Sequence, residues 1–258
     1  MSQTLNYPRW LVAAFSVAFA SVLILAYGIR GAVADPSSSL AVGPTDQVPD
    51  LVMLPLADFR LSTENGRKVL RFTVHTENKG GTLDLTGSRS NASTASLTVV
   101  QNMHQTGGGV RSIRTNAAMR FAVADGHDHW HVSNFAEYKL RPVGSSTWRG
   151  AHKEGFCARD TVHIEGNAPR SFPNNCEPGR SDALKVAEGI STGWADRYDW
   201  DLWGQFIELD RLALPGDFCV AATADPLHLF AEAPKDNNTT SSLVRITAQD
   251  VRVMRQGC

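Results

Sequence analysis

Three histidines alternate in the run His127-Asp128-His129-Trp130-His131. In an extended strand, residues i, i+2 and i+4 project to one face, so the three imidazoles are predicted to lie in a line, opposite Asp128 and Trp130. Imidazole nitrogens suit copper, zinc, iron or nickel, whereas calcium and magnesium prefer oxygen. Three protein ligands leave a position open, as in catalytic metal sites. The spacing predicts a metal centre without selecting the metal; the alternative is a polar surface strand that binds nothing.

Two further segments carry residues that could react beside a metal. The first is His152-Lys153-Glu154-Gly155-Phe156-Cys157, in which a lone lysine would ordinarily be a solvated surface group. The second runs from Gly193 to Trp200, includes Tyr198, and would ordinarily be an aromatic-rich loop near the core. Neither segment is informative alone. Together with the histidine triplet they form a pattern.

That pattern resembles the lysyl oxidase family, from about Pro49 to the C-terminus. The histidine triplet, with Phe135 and Tyr138 behind it, resembles the copper-binding strand of that family. The other similar motifs, in the family's order, are Pro49-Asp50-Leu51-Val52, Leu70-Arg71-Phe72, Asn78-Lys79-Gly80-Gly81, His152-Lys153 with Phe156-Cys157 and Asp160, Glu188-Gly189-Ile190 with Gly193, Asp196, Tyr198 and Gln205, and Asp225-Pro226 with Glu232 and Asn237-Asn238.

The resemblance implies a cofactor made from the chain itself. A lysine tyrosylquinone would form between Lys153 and Tyr198, beside Cu²⁺ held by His127, His129 and His131. The implied reaction is the oxidative deamination of primary amines, including peptidyl lysine, to aldehydes. O2 would accept the electrons, and hydrogen peroxide and ammonia would be released.

The general base of that reaction has three candidates. Asp196 matches an acidic position of the family two residues before the cofactor tyrosine, and a carboxylate can remove the proton. His152 and Asp160 are the alternatives, and each of the three could equally be an ordinary hydrogen-bonding loop residue. Aromatic residues that could line the pocket, or serve packing alone, are Tyr138, Trp194 and Trp200.

A second metal is implied by the resemblance to animal members of the family. Its ligands would be carboxylate, amide and backbone oxygens, which calcium prefers. The candidate ligands for Ca²⁺ are Asp50, Leu51, Glu232, Asn237 and Asn238. The chain departs from those members at Pro234, where they carry an acidic ligand, and at Gly126, where they carry a cysteine.

The N-terminus and the cysteines predict export. Trp10 to Tyr27 is an uncharged run flanked by Arg9 and Arg30, and Ala32-Val33-Ala34 follows it, so residues 1–34 are interpreted as a signal peptide or a signal anchor. Residues 35–47 are interpreted as a polar linker and 48–258 as the catalytic domain. The rest of the chain is expected outside the cytoplasm, secreted or anchored at the cell surface.

An even number of cysteines in an exported chain indicates two disulfides, with three possible connectivities. Proximity along the chain favours Cys157–Cys176, which leaves Cys219–Cys258 to fix the C-terminus.

Short alternating segments with turn residues between them predict an all-β fold. Leu70, Phe72 and Val74 alternate with polar residues, as in a half-buried strand, and Asn65-Gly66 before them indicates a hairpin. Further strands are predicted at Ser96–Val100, Arg120–Ala124, Trp130–Leu140, Phe206–Leu209, Phe218–Thr223 and Val251–Met254. Only Ser181 to Glu188 resembles a helix. The expected fold is a single sandwich-like domain with long loops.

The composition of the chain does not indicate its function, which must be inferred from the candidate sites. The formal net charge is −1, which gives no basic field for nucleic acid or an anionic membrane. Membrane contact is expected only through an N-terminal anchor. Two functions compete with an amine oxidase: an exported β domain that binds metal without turnover, and a different three-histidine metalloenzyme. Retention of both Lys153 and Tyr198 favours the oxidase.

Overall fold

The computed structural model describes residues 40–124, 127–151, 155–233 and 236–258. These residues form seventeen β-strands and no helix. The strands are β1 (Leu51–Met53), β2 (Ala57–Glu64), β3 (Arg67–Asn78), β4 (Leu83–Ser88), β5 (Ser96–His104), β6 (Val110–Ala124), β7 (His127–Ser133), β8 (Ala136–Pro142), β9 (Arg149–Gly150), β10 (Gly155–Phe156), β11 (Val162–His163), β12 (Lys185–Ile190), β13 (Trp194–Tyr198), β14 (Phe206–Glu208), β15 (Gly216–Ala224), β16 (Thr239–Ile246) and β17 (Val251–Gln256). The predicted all-β fold is confirmed.

Antiparallel pairing arranges the described strands in three sheets. The first has the order β1-β3-β13-β11, with β2 and β14 also paired to β3. The second has the order β10-β7-β6-β5-β4-β12, and the third β17-β16-β15-β8-β9. The histidine strand β7 therefore belongs to the second sheet and the tyrosine strand β13 to the first. Any contact between them must cross from one sheet to the other.

Local sequence explains several of these strands. Asn65 and Gly66 both have positive φ, 48° and 79°, which is the geometry of a two-residue hairpin between β2 and β3. The alternation in β3 predicts a half-buried strand, and this prediction is wrong. Arg71 and Thr73, on its polar face, are also buried, because the loop that follows β13 lies over them and uses them as hydrogen-bond partners.

Two other predictions are corrected. The predicted strand Trp130–Leu140 is two strands, β7 and β8, because Asn134 adopts a positive φ of 57° and the chain turns there. The predicted helix from Ser181 to Glu188 is absent from the described residues. Lys185 to Ile190 instead pairs with β4, with Glu188 opposite Leu85. Pairing along a whole neighbouring strand outweighs a weak local helix preference.

Aromatic side chains join the three sheets. Phe72 of the first sheet packs edge-on against Tyr138 of the third, with 5.5 Å between ring centroids. Tyr138 in turn packs against Phe156 of the second sheet at 5.8 Å, and Phe156 against Tyr198 at 4.7 Å. All four side chains are buried. The chain of rings fixes the relative positions of the strands that carry the reactive residues.

The start of the described chain is bonded to the second sheet. Gln47 N–H donates to the His104 carbonyl at 2.8 Å, and the Asp46 carboxylate forms an ion pair with Arg111. That ion pair is the main reason why the pKa of Asp46 falls to about 2. The predicted signal or anchor, residues 1–34, lies outside the described residues. Within the described ranges, no helix is long and apolar enough to cross a membrane.

Both predicted disulfides are present. Cys157 is bonded to Cys176, and Cys219 to Cys258. The second bridge ties the last residue to β15, in the middle of the third sheet.

Removing this second bridge is expected to destabilise the fold. It spans 39 residues, and the chain-entropy model assigns a loop of that size about 4 kcal/mol. Cys219→Ala combined with Cys258→Ala should lower the free energy of unfolding by up to that amount, measured by denaturant titration without reductant. Cys258→Ala alone is a control for loss of the bridge without a change at the buried Cys219. An unchanged denaturation midpoint would contradict the expectation.

Candidate active site

The three histidine side chains cluster as the strand alternation predicts. Their ligand nitrogens all lie within 4.8 Å of one another, and the Nε2 atoms of His129 and His131 are 2.9 Å apart. The ring centroid of His127 lies 5.2 Å from that of His129 and 5.1 Å from that of His131. A metal bonded at about 2.0–2.1 Å to each nitrogen needs them about 3 Å apart. The His129–His131 pair already meets that requirement.

The other face of β7 anchors the strand. Trp130 is fully buried, and its indole N–H donates to the Arg180 carbonyl at 2.9 Å. The guanidinium of Arg89 lies 4.8 Å from the indole ring. The backbone N–H of Trp130 donates to the Cys176 carbonyl at 2.9 Å. These contacts fix the strand at Trp130, between two of the histidines. The imidazoles project from the opposite face of the strand.

Gly155 permits the close approach of β10 to the histidine strand. A Cβ added to Gly155 would lie 3.0 Å from the His131 Cβ and 3.3 Å from its Nδ1. Strand β10 pairs with β7 there, Gly155 with Ser133 and Phe156 with Val132. A side chain at position 155 would displace His131, the most buried of the three histidines.

Tyr198 lies at the end of β13 and is almost completely buried. Its hydroxyl accepts the backbone N–H of Cys157 at 2.8 Å and donates to the carbonyl of the same residue at 3.3 Å. Burial, with further contributions from the charges of Asp196 and Glu188, raises the pKa of the Tyr198 phenol well above its ordinary value. The phenol is therefore neutral at physiological pH, and its oxygen is held in place by the backbone beside the Cys157–Cys176 bridge.

Two of the three histidines and the tyrosine share one cavity. A space of about 210 Å³ is lined by His127 and His129 from β7 and by Asp196 and Tyr198 from β13, with Leu202 at its edge. The two sheets thus contribute candidate metal ligands and a phenol to the same volume. Arg159 also lines it, a residue that the sequence did not single out.

Not every predicted site residue can be located. Lys153 and His152 lie outside the described residues, as does Pro234. Of the pocket-lining candidates, Tyr138 is buried in the aromatic core. Trp194 packs against His163, and Trp200 lies beside Arg60. These three aromatic residues serve packing and do not line the cavity of about 210 Å³.

The two acidic base candidates differ in their surroundings. Asp160 is fully buried, and its carboxylate accepts the backbone N–H groups of Ser171, Phe172 and Ser191 and the Ser191 hydroxyl, at 2.7–3.0 Å. A carboxylate with four donors organises a loop. Asp196 instead lines the cavity with Tyr198. Asp196 is the acidic candidate whose position suits proton transfer.

Glu188 is a buried acid that the sequence did not single out as a site residue. It is 1% exposed, and its Oε2 accepts the backbone N–H of Ala158 at 3.0 Å. Its Oε1 has no hydrogen-bond partner in the part of the chain that the structure describes. Burial, and then the nearby charge of Asp196, raises the pKa of Glu188 well above its ordinary value. Its position on the core face of β12, between Val186 and Ile190, is the signal that could have revealed it.

The candidate calcium ligands also come together. Asn237 Nδ2 donates to the Asp50 carboxylate, and Asn238 Nδ2 to that of Glu232, both at 2.8 Å. The Leu51 N–H donates to the other Glu232 oxygen at 3.2 Å. The two amide oxygens, Asn237 Oδ1 and Asn238 Oδ1, are buried and have no hydrogen-bond donor among the described residues. Because both amide nitrogens are bonded to carboxylates, flipping the amides would place oxygen against oxygen.

Replacing Glu188 by Gln is expected to make stability less dependent on pH. Because the pKa of Glu188 is raised in the folded state, the folded protein binds this proton more tightly than the unfolded chain does. This favours folding, and the effect is complete below the unfolded-state pKa of about 4.3. This contribution is lost as pH rises through the folded-state pKa, and it amounts to about 1.4 kcal/mol for each pH unit between the two pKa values. Glu188→Gln keeps an acceptor for the Ala158 N–H and cannot ionise. Denaturant unfolding should find it more stable than the parent at pH 7, with a difference that shrinks toward pH 4. A difference independent of pH would contradict burial as an ionisable acid.

The chain is similar in sequence to known proteins of one family. Residues 89–258 match the family model described as lysyl oxidase. The protein-lysine 6-oxidase of Sus scrofa is 27% identical over 128 residues, which is 47% of this chain and 45% of that protein. Those of Bos taurus and Homo sapiens are also 27% identical over 128 residues, again 47% of this chain but 27% of each protein.

The matched region thus spans about half the length of the first relative and about a quarter of the other two. The family match itself covers well over half of this chain and includes the three histidines, Asp196, Tyr198 and all four cysteines. The chain belongs to the lysyl oxidase family.

Proposed function

We propose that this chain is a copper-dependent amine oxidase. It would convert primary amines, peptidyl lysine among them, to aldehydes, with O2 as the electron acceptor and with release of hydrogen peroxide and ammonia. The observation that carries the proposal is the cavity of about 210 Å³ that His127, His129 and Tyr198 line together. A metal centre and a phenol on one cavity are what a tyrosine-derived cofactor requires. The names of the related protein-lysine 6-oxidases support lysine as a substrate.

The donor set suits copper. His127, His129 and His131 offer three imidazole nitrogens within 4.8 Å of one another, and imidazole is a preferred ligand of that metal. When bound, copper would supply with O2 the oxidising chemistry that converts a phenol to a quinone, and the quinone would accept electrons from the substrate amine. The protein provides a fixed strand for the ligands and a small cavity for the amine.

We assign Lys153 and Tyr198 as the two residues that form lysine tyrosylquinone. Support comes from residues close to Lys153 in sequence. Gly155, two positions later, lies against His131, and Phe156 packs edge-on against the Tyr198 ring at 4.7 Å. Lys153 is therefore two residues along the chain from a contact with a candidate metal ligand and three from a contact with the phenol ring.

Asp196 is the proposed general base. Its carboxylate would take the proton from the carbon that bears the substrate nitrogen. Asp196 is 2% exposed and lines the cavity with Tyr198. Asp160 is less suitable because its oxygens are already bonded to four donors.

A calcium ion is proposed between the first strand and the C-terminal region. The candidate ligands are Asp50, the Leu51 carbonyl, Glu232, Asn237 and Asn238. The two buried amide oxygens support the proposal, because a buried acceptor without a donor is costly and calcium binds amide and carboxylate oxygens. The ion would link β1 to the segment before β16.

Export is proposed for the same chain. All four cysteines form disulfides, and disulfides persist in oxidising compartments. Residues 1–34 would act as a signal peptide or a signal anchor, so that the domain lies outside the cytoplasm, where O2 and secreted amines are available to it.

Replacing His129 by Ala is expected to abolish copper binding and quinone formation while the fold persists. The variant removes one of three ligands, and two imidazoles hold a metal much less tightly. Metal analysis after dialysis should find about one copper per chain in the parent and far less in His129→Ala. His163→Ala, at an exposed histidine outside the cluster, is the matched control. Copper retained as tightly by His129→Ala as by the parent would overturn the ligand assignment.

The Lys153–Tyr198 link is tested by peptide mapping. Protein matured with copper and O2 should yield the two peptides joined, absorbing visible light and staining for quinone, whereas protein made without copper should yield them separately. A peroxide-coupled assay against amines and lysyl peptides should detect turnover only in the matured protein. Bound copper without the link or turnover would favour a metal-binding module. Turnover by protein with unmodified Lys153 and Tyr198 would favour a different metalloenzyme.

A further inference from the structure

Arg159 is a half-buried arginine on the wall of the cavity of about 210 Å³ that Tyr198 also lines. Its Nη1 donates to the side-chain oxygen of Asn175, and it forms no ion pair with an acid in the part of the chain that the structure describes. The other arginine on this wall, Arg197, is instead paired with Asp199. Because a guanidinium has five N–H donors, Arg159 keeps most of its donors for a ligand.

The backbone is fixed on both sides of Arg159. Before it, the Ala158 carbonyl accepts the N–H of Gly189 at 2.8 Å. After it, the Asp160 N–H donates to the Phe172 carbonyl at 2.9 Å. The Arg159 side chain therefore starts from a fixed backbone on the cavity wall, which reduces the entropy that is lost when the guanidinium binds a ligand.

The charged residues on the cavity wall differ in their exposure. Asp196, two residues before Tyr198, is 2% exposed, whereas Arg159 is half-buried. Asp128, the other acid on the wall, is exposed, so solvent and salt screen its charge. The cavity thus combines a deeply buried acid with a more accessible cation. A ligand with an amine at one end and an anion at the other would match this arrangement, with the amine beside Asp196 and the anion beside Arg159.

A carboxylate is the anion that suits Arg159 best in a small cavity. A planar guanidinium can donate two parallel N–H bonds to the two oxygens of a carboxylate, and hydrogen bonds between ionised groups are stronger than neutral ones. An amide of the same shape offers one acceptor oxygen and no charge. The volume of about 210 Å³ is below that of sites for drug-sized ligands, which measure about 300–1,000 Å³. The ligand is therefore expected to be a small molecule.

We propose that Arg159 binds the carboxylate of a small substrate whose primary amine lies beside Tyr198. The inference rests on the amine oxidase function proposed above and specifies its substrate class as ω-amino acids over uncharged amides of the same length. Arg159 is then the specificity-determining residue. It contacts the end of the substrate that does not react.

The ratio of kcat/KM for an ω-amino acid to that for its amide tests the proposal in copper-matured full-length protein. 4-Aminobutanoate, 5-aminopentanoate and 6-aminohexanoate are each compared with the corresponding amide, so that the two members of a pair differ in charge at equal length. The parent should prefer the acid about fivefold or more in at least one pair, and Arg159→Gln should bring that ratio close to one. Arg159→Lys should keep part of the preference because the positive charge remains. Arg114→Gln, at an exposed arginine outside the cavity, should leave the ratio unchanged.

Calorimetric titration of copper-free protein separates this inference from the oxidase function. Without copper no amine is turned over, and the parent should still bind at least one of the three ω-amino acids about fivefold more tightly than its amide, a difference that Arg159→Gln removes. Preferential binding of the acid without turnover after copper maturation would overturn the oxidase proposal and leave the carboxylate site standing. Equal binding of acid and amide in all three pairs, or a preference that Arg159→Gln leaves unchanged, would overturn the carboxylate site.

Discussion

The candidate site depends on a short segment, Gly155 to Ala158, that contacts two different sheets. Its first two residues extend the second sheet as β10, against the histidine strand. The Cys157 backbone then holds the Tyr198 hydroxyl through both its N–H and its carbonyl. The disulfide to Cys176 connects the segment to the histidine strand a second time, because the Cys176 carbonyl accepts the N–H of Trp130, between two histidines. Without this segment, the pairing of the described strands would not bring β7 and β13 to one cavity.

Packing and electrostatics oppose each other around this segment. The edge-on contacts of Phe156 with Tyr138 and Tyr198 favour folding. The same burial brings two acids, Glu188 and Asp196, close to Tyr198. The charge of Asp196 disfavours ionisation of Glu188, and both charges disfavour ionisation of the Tyr198 phenol. An internal acid is tolerated because backbone groups such as the Ala158 N–H solvate it. The buried acids beside the phenol therefore cost the fold some stability.

What the sequence predicted well depended on short-range rules. The alternation of histidines fixes their common face by the geometry of a strand alone, and the Asn65-Gly66 hairpin needs only two residues. What it missed depended on distant neighbours. The sequence of 181–188 suits a helix until β4 is available to pair with it. The contact of Trp203 with His127 could not be predicted either, because no local pattern in the sequence indicates it. The proposed pairing of Lys153 with Tyr198 came from the resemblance to a family, because spacing alone could not indicate it.

The histidine strand and Tyr198 are proposed to form one copper site. The most direct measurement is a crystal structure of the copper-loaded protein, with anomalous diffraction recorded on both sides of the copper absorption edge. We expect one strong anomalous peak bonded to nitrogens of His127, His129 and His131, beside the cavity of about 210 Å³ that Tyr198 lines. A copper peak elsewhere in the domain, with the three imidazoles bonded only to protein or water, would contradict it.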